Sequence, residues 1–501
     1  MGTLIQQKPL NSSLPVGQDV IFTVSNDSIV LNSDFIKIKF IAQVHISSDE
    51  QVNLSLTDNI VGTFKTTPNN AGVGMFNFRN IVENFVSADN MALENSNYKL
   101  ISNENLRVPI HLINRYSRNS NSYRYMAVKF KVQYVDNLAS SATFGDVITT
   151  DIKNSSGFKF FNGYLKYSDI LETGTGSEIN DFGYSLGNFF LTQNNRKFLT
   201  NAPLVQYANL EDYATTTIFL LNGLSNQFSG QTGAFASPDS GLYGIRFRFY
   251  EADGTEITTT PTPDGDILVP AVVPEYGGLW WADETKASNR ILFCGIGPAN
   301  LRGYSDQFNA NIDNIAYYTY QAKRRQDTGG ILPTEVSISE EYTVYINCPT
   351  LKGYKPIRLT WLNQWGGWDY YTFTMKSTKK TSTKGTTYQQ LEGTWNNSVY
   401  KMDGYKGGKK TFRVNATEKI TMNSNFLTEE ESNWFEELIN SPEVYILEGF
   451  QEDETNPLLN NYVTPVRLTT KDYTTKTVAN DKLIQYTFEV EKSKTLRTQS
   501  V

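Results

Sequence analysis

Histidine and cysteine, two residue types that often serve in catalysis and metal binding, are scarce in this chain. Each occurs only twice among 501 residues. Cys294 and Cys348 are too few for a disulfide framework. Both lie in apolar, strand-like runs (ILFCGIG and YTVYINC), which favours two reduced buried thiols over a single bridge. His45 and His111 also lie in strand-like runs. A Ser-His-Asp or Cys-His site would need one of them, but an ordinary core or surface role is favoured.

Long hydrophobic runs are absent as well. No stretch of about 18 apolar residues is present, so the sequence predicts no membrane-spanning helix. The first residues, MGTLIQQKPLNSS, lack the basic and apolar regions of a signal peptide, and Gln6 departs from the myristoylation pattern. The net charge of -7 is mild for this length and does not point to nucleic acid as the main partner. We therefore expect a soluble protein made in a cytosol.

Complete motifs for cofactor or metal binding are also missing. Asp264 and Asp266 flank a glycine in a Pro-rich stretch, where a plain acidic turn is favoured over a weak calcium site. The Gly-X-Gly pairs at 174–176 and 295–297 complete neither a dinucleotide motif nor a P-loop. With 52 acidic residues, spacing alone cannot identify the carboxylate pair of a glycosidase. The sequence predicts no catalytic residue, no cofactor and no metal, and so no enzyme.

Strand-forming patterns are abundant in what remains. Aromatic residues make up 13% of the chain, and Thr, Val and Ile are frequent, which favours β-structure. In DFIKIKFIAQVHI, strict alternation places Ile36, Ile38, Phe40, Ala42, Val44 and Ile46 on one face of a strand. In YMAVKFKVQYV, the shared face holds Met126, Val128, Phe130, Val132 and Tyr134. Between these strands, FRNIVENFV (78–86) has the spacing of one short helix.

These patterns predict a mainly all-β chain of tandem β-sandwich-like domains. We place an N-terminal sandwich-like domain at 1–150, a middle β-rich domain at 151–338 and a C-terminal β-domain at 339–501. The stretch KRRQDTGGILPTE is the predicted linker before the last domain. The last domain carries one good helix, 428–440, which begins with Thr428 as N-cap and Glu431 in a capping box. Trp434, Phe435, Leu438 and Ile439 form its apolar stripe.

The stretch WLNQWGGWDYYTF (361–373) holds three of the seven tryptophans. The Gly-Gly pair suits a tight connection, so the stretch predicts a β-hairpin. Trp361 shares a face with Ile357 and Leu359 and is expected in the core, whereas Trp365 at the tip is expected to be exposed. Packing or contact with a partner chain is favoured over sugar stacking for these tryptophans and for Trp280 and Trp281.

A Lys/Thr-rich stretch, KSTKKTSTKGTT, follows the hairpin and predicts a long exposed hairpin arm or loop. Its lysines make residues 376–410 locally basic. Three roles stay open for it: a solvated arm, contact with nucleic acid, or packing onto a neighbouring subunit. The predicted interface residues are Trp365, Trp368, Tyr370, Lys379, Lys380 and Lys384.

Three runs in the last domain carry a resemblance to a known group of proteins. They are PIRLTWLNQWGGWDYYTF, FRVNATEKITMNSNFLTEEESNWFEELINSPEVYIL and PVRLTTKDYTTKTVANDKLIQYTFEVEKS. In these runs the sequence resembles tail structural proteins of crAss-like and related bacteriophages that infect Bacteroidetes. GTFKTTPNNAGVGMFNFRNIVENFV and RKFLTNAPLVQYANLEDYATTTIFLLNG are similar to the same group. The likeness is specific mainly from about residue 340 to 501.

The resemblance implies a tail-hub or ring subunit whose last domain is a sandwich of the tail-tube or distal-tail type with a flanking helix. Its partners would be further copies of itself, as a hexamer or another ring, together with nozzle, ring and fibre proteins. Such a part performs no chemistry, resides in the virion tail after synthesis in the bacterial cytoplasm, and meets nucleic acid only as DNA in a lumen. The alternatives are a carbohydrate- or receptor-binding fibre protein, with Trp365 or Trp280–Trp281 exposed in a groove, and a wall-degrading enzyme.

Overall fold

A computed structural model describes most of the chain. The described residues are 4–9, 13–48, 52, 54, 59–88, 109–113, 116–117, 123–166, 189, 191, 194–219, 244–257, 267–268, 291–326, 334–347, 353–395, 398–448, 462–475, 484–494 and 496–497. Strands account for 50% of the structure and helices for 12%, arranged as several sheets with few helices. The predicted mainly all-β, multi-sandwich fold class is therefore confirmed.

The strands, in chain order, begin with β1 (Leu4–Gln7), β2 (Ser13–Pro15), β3 (Ile21–Ser25), β4 (Phe35–Ser47), β5 (Ile60–Thr66), β6 (Val73–Asn77), β7 (Tyr116–Ser117), β8 (Tyr123–Asp136), β9 (Val147–Asn154) and β10 (Phe158–Phe161). They continue with β11 (Val205–Ala208), β12 (Thr215–Phe219), β13 (Gly244–Tyr250), β14 (Ile267–Leu268), β15 (Ile291–Gly295), β16 (Tyr317–Gln326), β17 (Thr334–Ser337) and β18 (Tyr342–Ile346). They end with β19 (Ile357–Leu362), β20 (Trp368–Phe373), β21 (Ser377–Gln390), β22 (Gly393–Thr394), β23 (Lys401–Met402), β24 (Gly408–Asn423), β25 (Val444–Leu447), β26 (Val463–Leu468), β27 (Thr487–Lys492) and β28 (Leu496–Arg497).

The α-helices of the described residues are short, with one exception. They are α1 (Asp27–Val30), α2 (Arg79–Val82), α3 (Pro298–Arg302), α4 (Asp306–Ala310) and α5 (Glu429–Asn440). Helix α2 continues into a 3-10 turn, Glu83–Phe85, so the short helix predicted at 78–86 is confirmed. The predicted helix at 428–440 is α5, with Thr428 as its N-cap.

By their internal contacts, the residues form two compact units. The first contains Met1–Val205, Tyr213–Val344 and Asn363–Trp368, and the second contains Gln206–Asp212, Tyr345–Leu362 and Asp369–Val501. The connection of the 361–373 hairpin therefore belongs to the first unit, although most of β19 and β20 belongs to the second. The division into three domains at 1–150, 151–338 and 339–501 stays a prediction.

The N-terminal part of the first unit contains two facing sheets. One has the order β2-β10-β8-β4-β5, with β9 also paired to β8, and the other has the order β1-β3-β6. Phe22 of β3 lies 5.7 Å from Phe130 of β8 and 5.4 Å from Phe158 of β10, measured between ring centroids. Because these rings come from opposite sheets, their contact forms the interior of a β-sandwich.

The alternation predicted for β4 holds only after a bulge. Phe40, Ala42, Val44 and Ile46 are buried as expected, but Ile36 is 37% exposed. The register between β4 and β8 shifts between Ile36 and Lys39, and Lys37 has a positive φ of 54°. A bulge adds a residue to one strand, so Ile36 lies out of phase with the buried face. The prediction for Ile36 was wrong for this reason.

A buried amide joins distant segments of the first unit. Asn300, in α3, accepts hydrogen bonds from the backbone N–H groups of Ala214 (2.8 Å) and Gly297 (3.1 Å). Its Nδ2 donates to the carbonyl oxygens of His111 (3.2 Å) and Ile113 (2.5 Å). One side chain thereby forms hydrogen bonds with four backbone groups from three separate segments, and buried backbone groups need such partners.

The second unit is one large sheet with α5 packed on it. The strand order is β20-β19-β25-β26-β27-β24-β21, with β28 also paired to β24. The helical stripe packs on the sheet through Phe435, which lies 4.8 Å from the ring of Tyr371 and 5.5 Å from that of Phe488. Trp434 lies 4.9 Å from Trp361, and its indole N–H donates to Asp369 at 2.6 Å. The core position predicted for Trp361 is confirmed.

Candidate interaction surface

The Lys/Thr-rich stretch after the hairpin forms an extended two-stranded ribbon. β21 and β24 pair antiparallel from Ser377 opposite Met422 to Gln390 opposite Gly408. Threonine recurs along β21, and its branched side chain favours a strand without needing a buried face. At about 3.3 Å per residue, the 14 residues of β21 span about 46 Å. We call residues 377–413 the arm and residues 391–407 the arm end.

Most side chains of β21 are exposed, which confirms the predicted exposed hairpin arm. Over its length, β21 lies at the edge of the sheet. Exposed strand edges are templates for pairing with other chains, and lysine is a common means of discouraging unwanted pairing. The lysines of β21 therefore have a structural use whatever the arm binds.

One face of the arm is basic. Because residues opposite one another in an antiparallel pair share a face, the register places Lys380, Lys384, Lys410 and Arg413 on the same side of the arm, together with Lys419 of β24, which lies opposite Lys380 just outside the arm. We call this side the basic face. Lys419 forms an ion pair with Glu489 at 2.8 Å, whereas Lys384, Lys410 and Arg413 form no ion pair with any described residue.

Lys379 lies on the opposite face, where its charge is already balanced. Its Nζ lies 2.7 Å from Glu418, and Lys492 lies 2.9 Å from the other oxygen of that carboxylate. Burial raises the pKa of Glu418, but the hydrogen bonds from Lys379 and Lys492 outweigh it, so that the pKa lies below its usual value. Of the three predicted interface lysines, Lys379 is tied to its own chain, and Lys380 and Lys384 lie on the basic face.

The arm end is held in shape by its own polar contacts. β22 and β23 form a small antiparallel pair there. Asp403 accepts a hydrogen bond from the Thr394 hydroxyl and lies 3.2 Å from the Lys406 ammonium. These contacts, with Thr394 the larger contributor, lower the pKa of Asp403, and the hydrogen bond to Asp403 raises the pKa of Lys406. A side chain at Gly393 would place its Cβ 2.0 Å from the carbonyl oxygen of Lys401, so this close approach requires glycine.

Large apolar side chains of the described arm-end residues project into solvent. Tyr405 is 80% exposed and Trp395 is 75% exposed. The exposed apolar residues of the arm end are Leu391, Trp395, Val399, Tyr400, Met402 and Tyr405. Single exposed apolar residues are common on protein surfaces, but a concentration of them marks an interaction site. The contacts among Thr394, Asp403 and Lys406 restrict the described backbone around them, which lowers the entropy that a partner would have to offset on binding.

The tip of the 361–373 hairpin contrasts with the arm end, because it is buried. Asn363 shapes the turn: its Oδ1 accepts from the backbone N–H groups of Trp365 (3.0 Å) and Gly367 (2.9 Å). Trp365 is 3% exposed, and its ring centroid lies 4.1 Å from that of Phe189. The expectation that Trp365 is exposed was wrong, because its own chain covers the tip.

Trp368 and Tyr370 are buried as well. Trp368, in the first unit, meets the ring of His111 edge-on at 4.8 Å. Tyr370, in the second unit, lies 5.3 Å from the guanidinium of Arg358, which also pairs with Asp212 at 3.2 Å. Contact of Trp365, Trp368 and Tyr370 with a partner chain stays a prediction, but these side chains already pack within this chain.

The other chemically active residues show no assembled site within the described part of the chain. His45, His111 and Cys294 are buried, and no group of three or more His, Cys, Asp or Glu residues with metal-binding geometry occurs among the described residues. Cys348, Trp280, Trp281, Asp264 and Asp266 lie outside the described residues. None of the described helices is both long and apolar enough to cross a membrane.

Comparison with known proteins adds no relative. No protein-family model matches the sequence, and no curated protein matches it significantly.

The exposed apolar residues of the arm end were not predicted from the sequence. Their signal was available: LEGTWNNSVYKMDGYKGG places several aromatic residues among Gly, Asn and Lys, between two polar strands that cannot bury them.

Proposed function

We propose that this chain is a structural subunit of a bacteriophage tail, of the tail-hub or ring type. Copies would assemble into a symmetric ring that connects the tail barrel, nozzle and fibres, in a virion assembled in the bacterial cytoplasm. The proposal gives the chain no catalytic role. The observation that carries it is the arm, an ordered and solvent-exposed ribbon that ends in six exposed apolar side chains.

The arm supports an assembly role because its side chains contribute little to the hydrophobic core of the chain. Between Lys379 and Arg413, most of the described side chains are exposed and none is buried. Ordering a ribbon of this length opposes folding through lost conformational entropy. Contacts with a partner would recover free energy by burying the apolar arm end, and tryptophan and tyrosine are frequent hot spots at such interfaces.

The assignment to a phage tail comes from the resemblance of residues 340–501. The large sheet with α5 on one face agrees with the helix-flanked plan that the resemblance implies. Ring assembly also agrees with the exposed edge of β21, since closed symmetric contacts cover surfaces that would otherwise promote aggregation.

Native mass spectrometry of the purified chain across concentrations tests self-assembly. We expect a discrete hexamer or another closed ring. A monomer at every concentration would contradict a self-assembling ring subunit. A variant lacking residues 391–407 should show weaker assembly in the same measurement while keeping its folded signature in circular dichroism.

The tail location has its own test. Gold-labelled antibodies against the chain should bind phage particles at the tail, in a ring around its axis. Labelling confined to fibre tips would instead favour the alternative, a carbohydrate- or receptor-binding fibre protein. That alternative relied on exposed tryptophans in a groove, and the burial of Trp365 removes one of them.

A further inference from the structure

We infer that the arm of one copy docks on the acidic body of a neighbouring copy, in a head-to-tail contact. This inference rests on the proposed self-assembly and goes further, because it names the partner of the arm and the polarity of the contact. Its basis is the charge distribution, the single-sided basic face and the apolar arm end.

The charge of the arm is opposite to that of the rest of the chain. Residues 377–413 contain eight Lys and Arg and two acidic residues. The whole chain has 45 Lys and Arg against 52 Asp and Glu, so the remaining residues have 37 against 50. The arm is therefore +6 and the remainder -13. A second copy of this chain is a partner of matching charge, and such complementarity steers association and sets orientation.

The same charges disfavour contact between two arms. Two arms that pair side by side would bring their basic faces or edges together, and like charges repel. Lys384, Lys410 and Arg413 have no ion-pair partner among the described residues, so their charge is available to carboxylates of another copy. The contact is then heterologous, and a heterologous contact forms a ring when its rotation closes.

The base of the arm and its outer part differ in how their charges are paired. At its base, Lys379 and Lys419 are paired with Glu418 and Glu489 of their own chain. Towards its end, Lys384, Lys410 and Arg413 lie on the basic face without an ion-pair partner among the described residues, and the apolar residues lie beyond them. Charges at the rim of an interface mainly affect association rate and salt dependence, whereas buried aromatic anchors mainly affect dissociation. Trp395 and Tyr405 are the expected anchors.

A mixing experiment tests the polarity of the contact. In one variant, residues 391–407 are replaced by Asn-Gly, which joins Gln390 to Gly408 through a two-residue hairpin turn. This variant keeps the body that accepts an arm and loses the arm end that inserts. In a mixture with the full chain, the variant should bind the arm of one full-length copy but should not dock on a further copy. Each complex that contains the variant should therefore end at it and remain an open chain. Native mass spectrometry should show one variant copy in each such complex.

Three other outcomes overturn the inference. If the variant stays out of complexes that the full chain forms, the arms pair with each other. If the variant alone forms the same oligomer as the full chain, the arm end is not the assembly contact, and self-assembly stands without it. If the full chain is monomeric at every concentration, self-assembly fails together with this inference.

Two charge-reversal variants, a test and a control, distinguish docking through the basic face from a general effect of net charge on association. The test variant carries Lys384→Glu, Lys410→Glu and Arg413→Glu. The control carries Lys39→Glu, Lys153→Glu and Lys355→Glu, three exposed body lysines that form no ion pair with a described residue. Both variants have the same net charge. We expect the association constant at low salt to fall about tenfold or more in the test variant alone. Equal losses in both variants would overturn docking through the basic face.

Discussion

At the scale of single residues, close packing around special backbone positions decides which substitutions matter. Gly366 at the hairpin tip has a φ of +76°, and a Cβ there would lie 2.2 Å from the carbonyl oxygen of Asn162. The neighbouring atom is backbone and cannot rotate away. The Gly-Gly pair of the hairpin therefore serves two purposes, since it permits the turn and admits a second segment of the first unit.

Replacing Gly366 with alanine should be strongly destabilising. We expect the free energy of unfolding of the first unit to fall by about 3 kcal/mol, from positive φ and from the collision together. Gly145→Ala is the matched control in the same unit, because Gly145 has a φ of +82° but open space around its Cβ position. Its expected loss is about 1 kcal/mol. Urea unfolding measures both, and equal losses would contradict the packing explanation.

His45 makes the stability of the first unit depend on pH. It is buried, and neither ring nitrogen has a hydrogen-bond partner among the described residues. Burial lowers the pKa of His45, and the charges of Lys129 and Lys131 lower it further. The folded state therefore binds the proton more weakly than the unfolded state, so stability falls as the pH drops below the unfolded value of about 6.5.

This pH dependence should largely vanish in His45→Phe. We expect urea midpoints of the unmodified chain to fall between about pH 7 and pH 5.5, around the ordinary histidine pKa. The variant should show a smaller fall over the same range. His111 is present in both proteins and serves as the internal control. Parallel curves for the two proteins would assign the pH dependence to other groups.

At the scale of elements, α5 shows how local signals and packing act together. Its capping box is present: the Glu431 backbone N–H donates to the Thr428 hydroxyl at 3.2 Å, and the Thr428 N–H donates to the Glu431 carboxylate at 2.8 Å. Three acidic residues in the first turn suit the positive end of the helix dipole. The aromatic stripe then fixes which face meets the sheet.

Thr428→Ala should weaken this helix start. We expect a loss of about 1 kcal/mol in the free energy of unfolding of the second unit, because the Glu431 backbone N–H loses the hydroxyl that accepts its hydrogen bond. Asn433→Ala is a suitable control, since Asn433 lies on the exposed face of the same helix and should change stability by less than about 0.5 kcal/mol. Thermal unfolding followed by circular dichroism compares them, and a neutral Thr428→Ala would show that packing alone holds the helix.

At the scale of the whole molecule, the two compact units predict two cooperative transitions. Calorimetry of the chain should resolve two unfolding events. Gly366→Ala should lower the midpoint of one event and Thr428→Ala the midpoint of the other, since the two positions belong to different units. A single transition shifted by both substitutions would mean that the units unfold as one.

The elements that depend on local periodicity could be predicted from the amino-acid order alone. Alternation predicted β4 and β8, and the capping box with its apolar stripe predicted α5, because local backbone preferences and side-chain direction repeat with a fixed period. The polar, threonine-rich stretch predicted the exposed arm. Alternation did not predict where the strand register shifts. The bulge at Lys37 placed Ile36 outside the buried face.

Which aromatic residues are buried depends instead on long-range packing. Trp365 and Trp395 both lie in Gly- and Asn-rich connections between strands, so their local sequences look alike. Trp365 is buried because segments distant in the chain, at Asn162 and Phe189, pack around its turn. Trp395 is exposed because the arm carries it away from such segments. Burial depends on contacts between residues far apart in sequence, and local patterns do not encode those contacts.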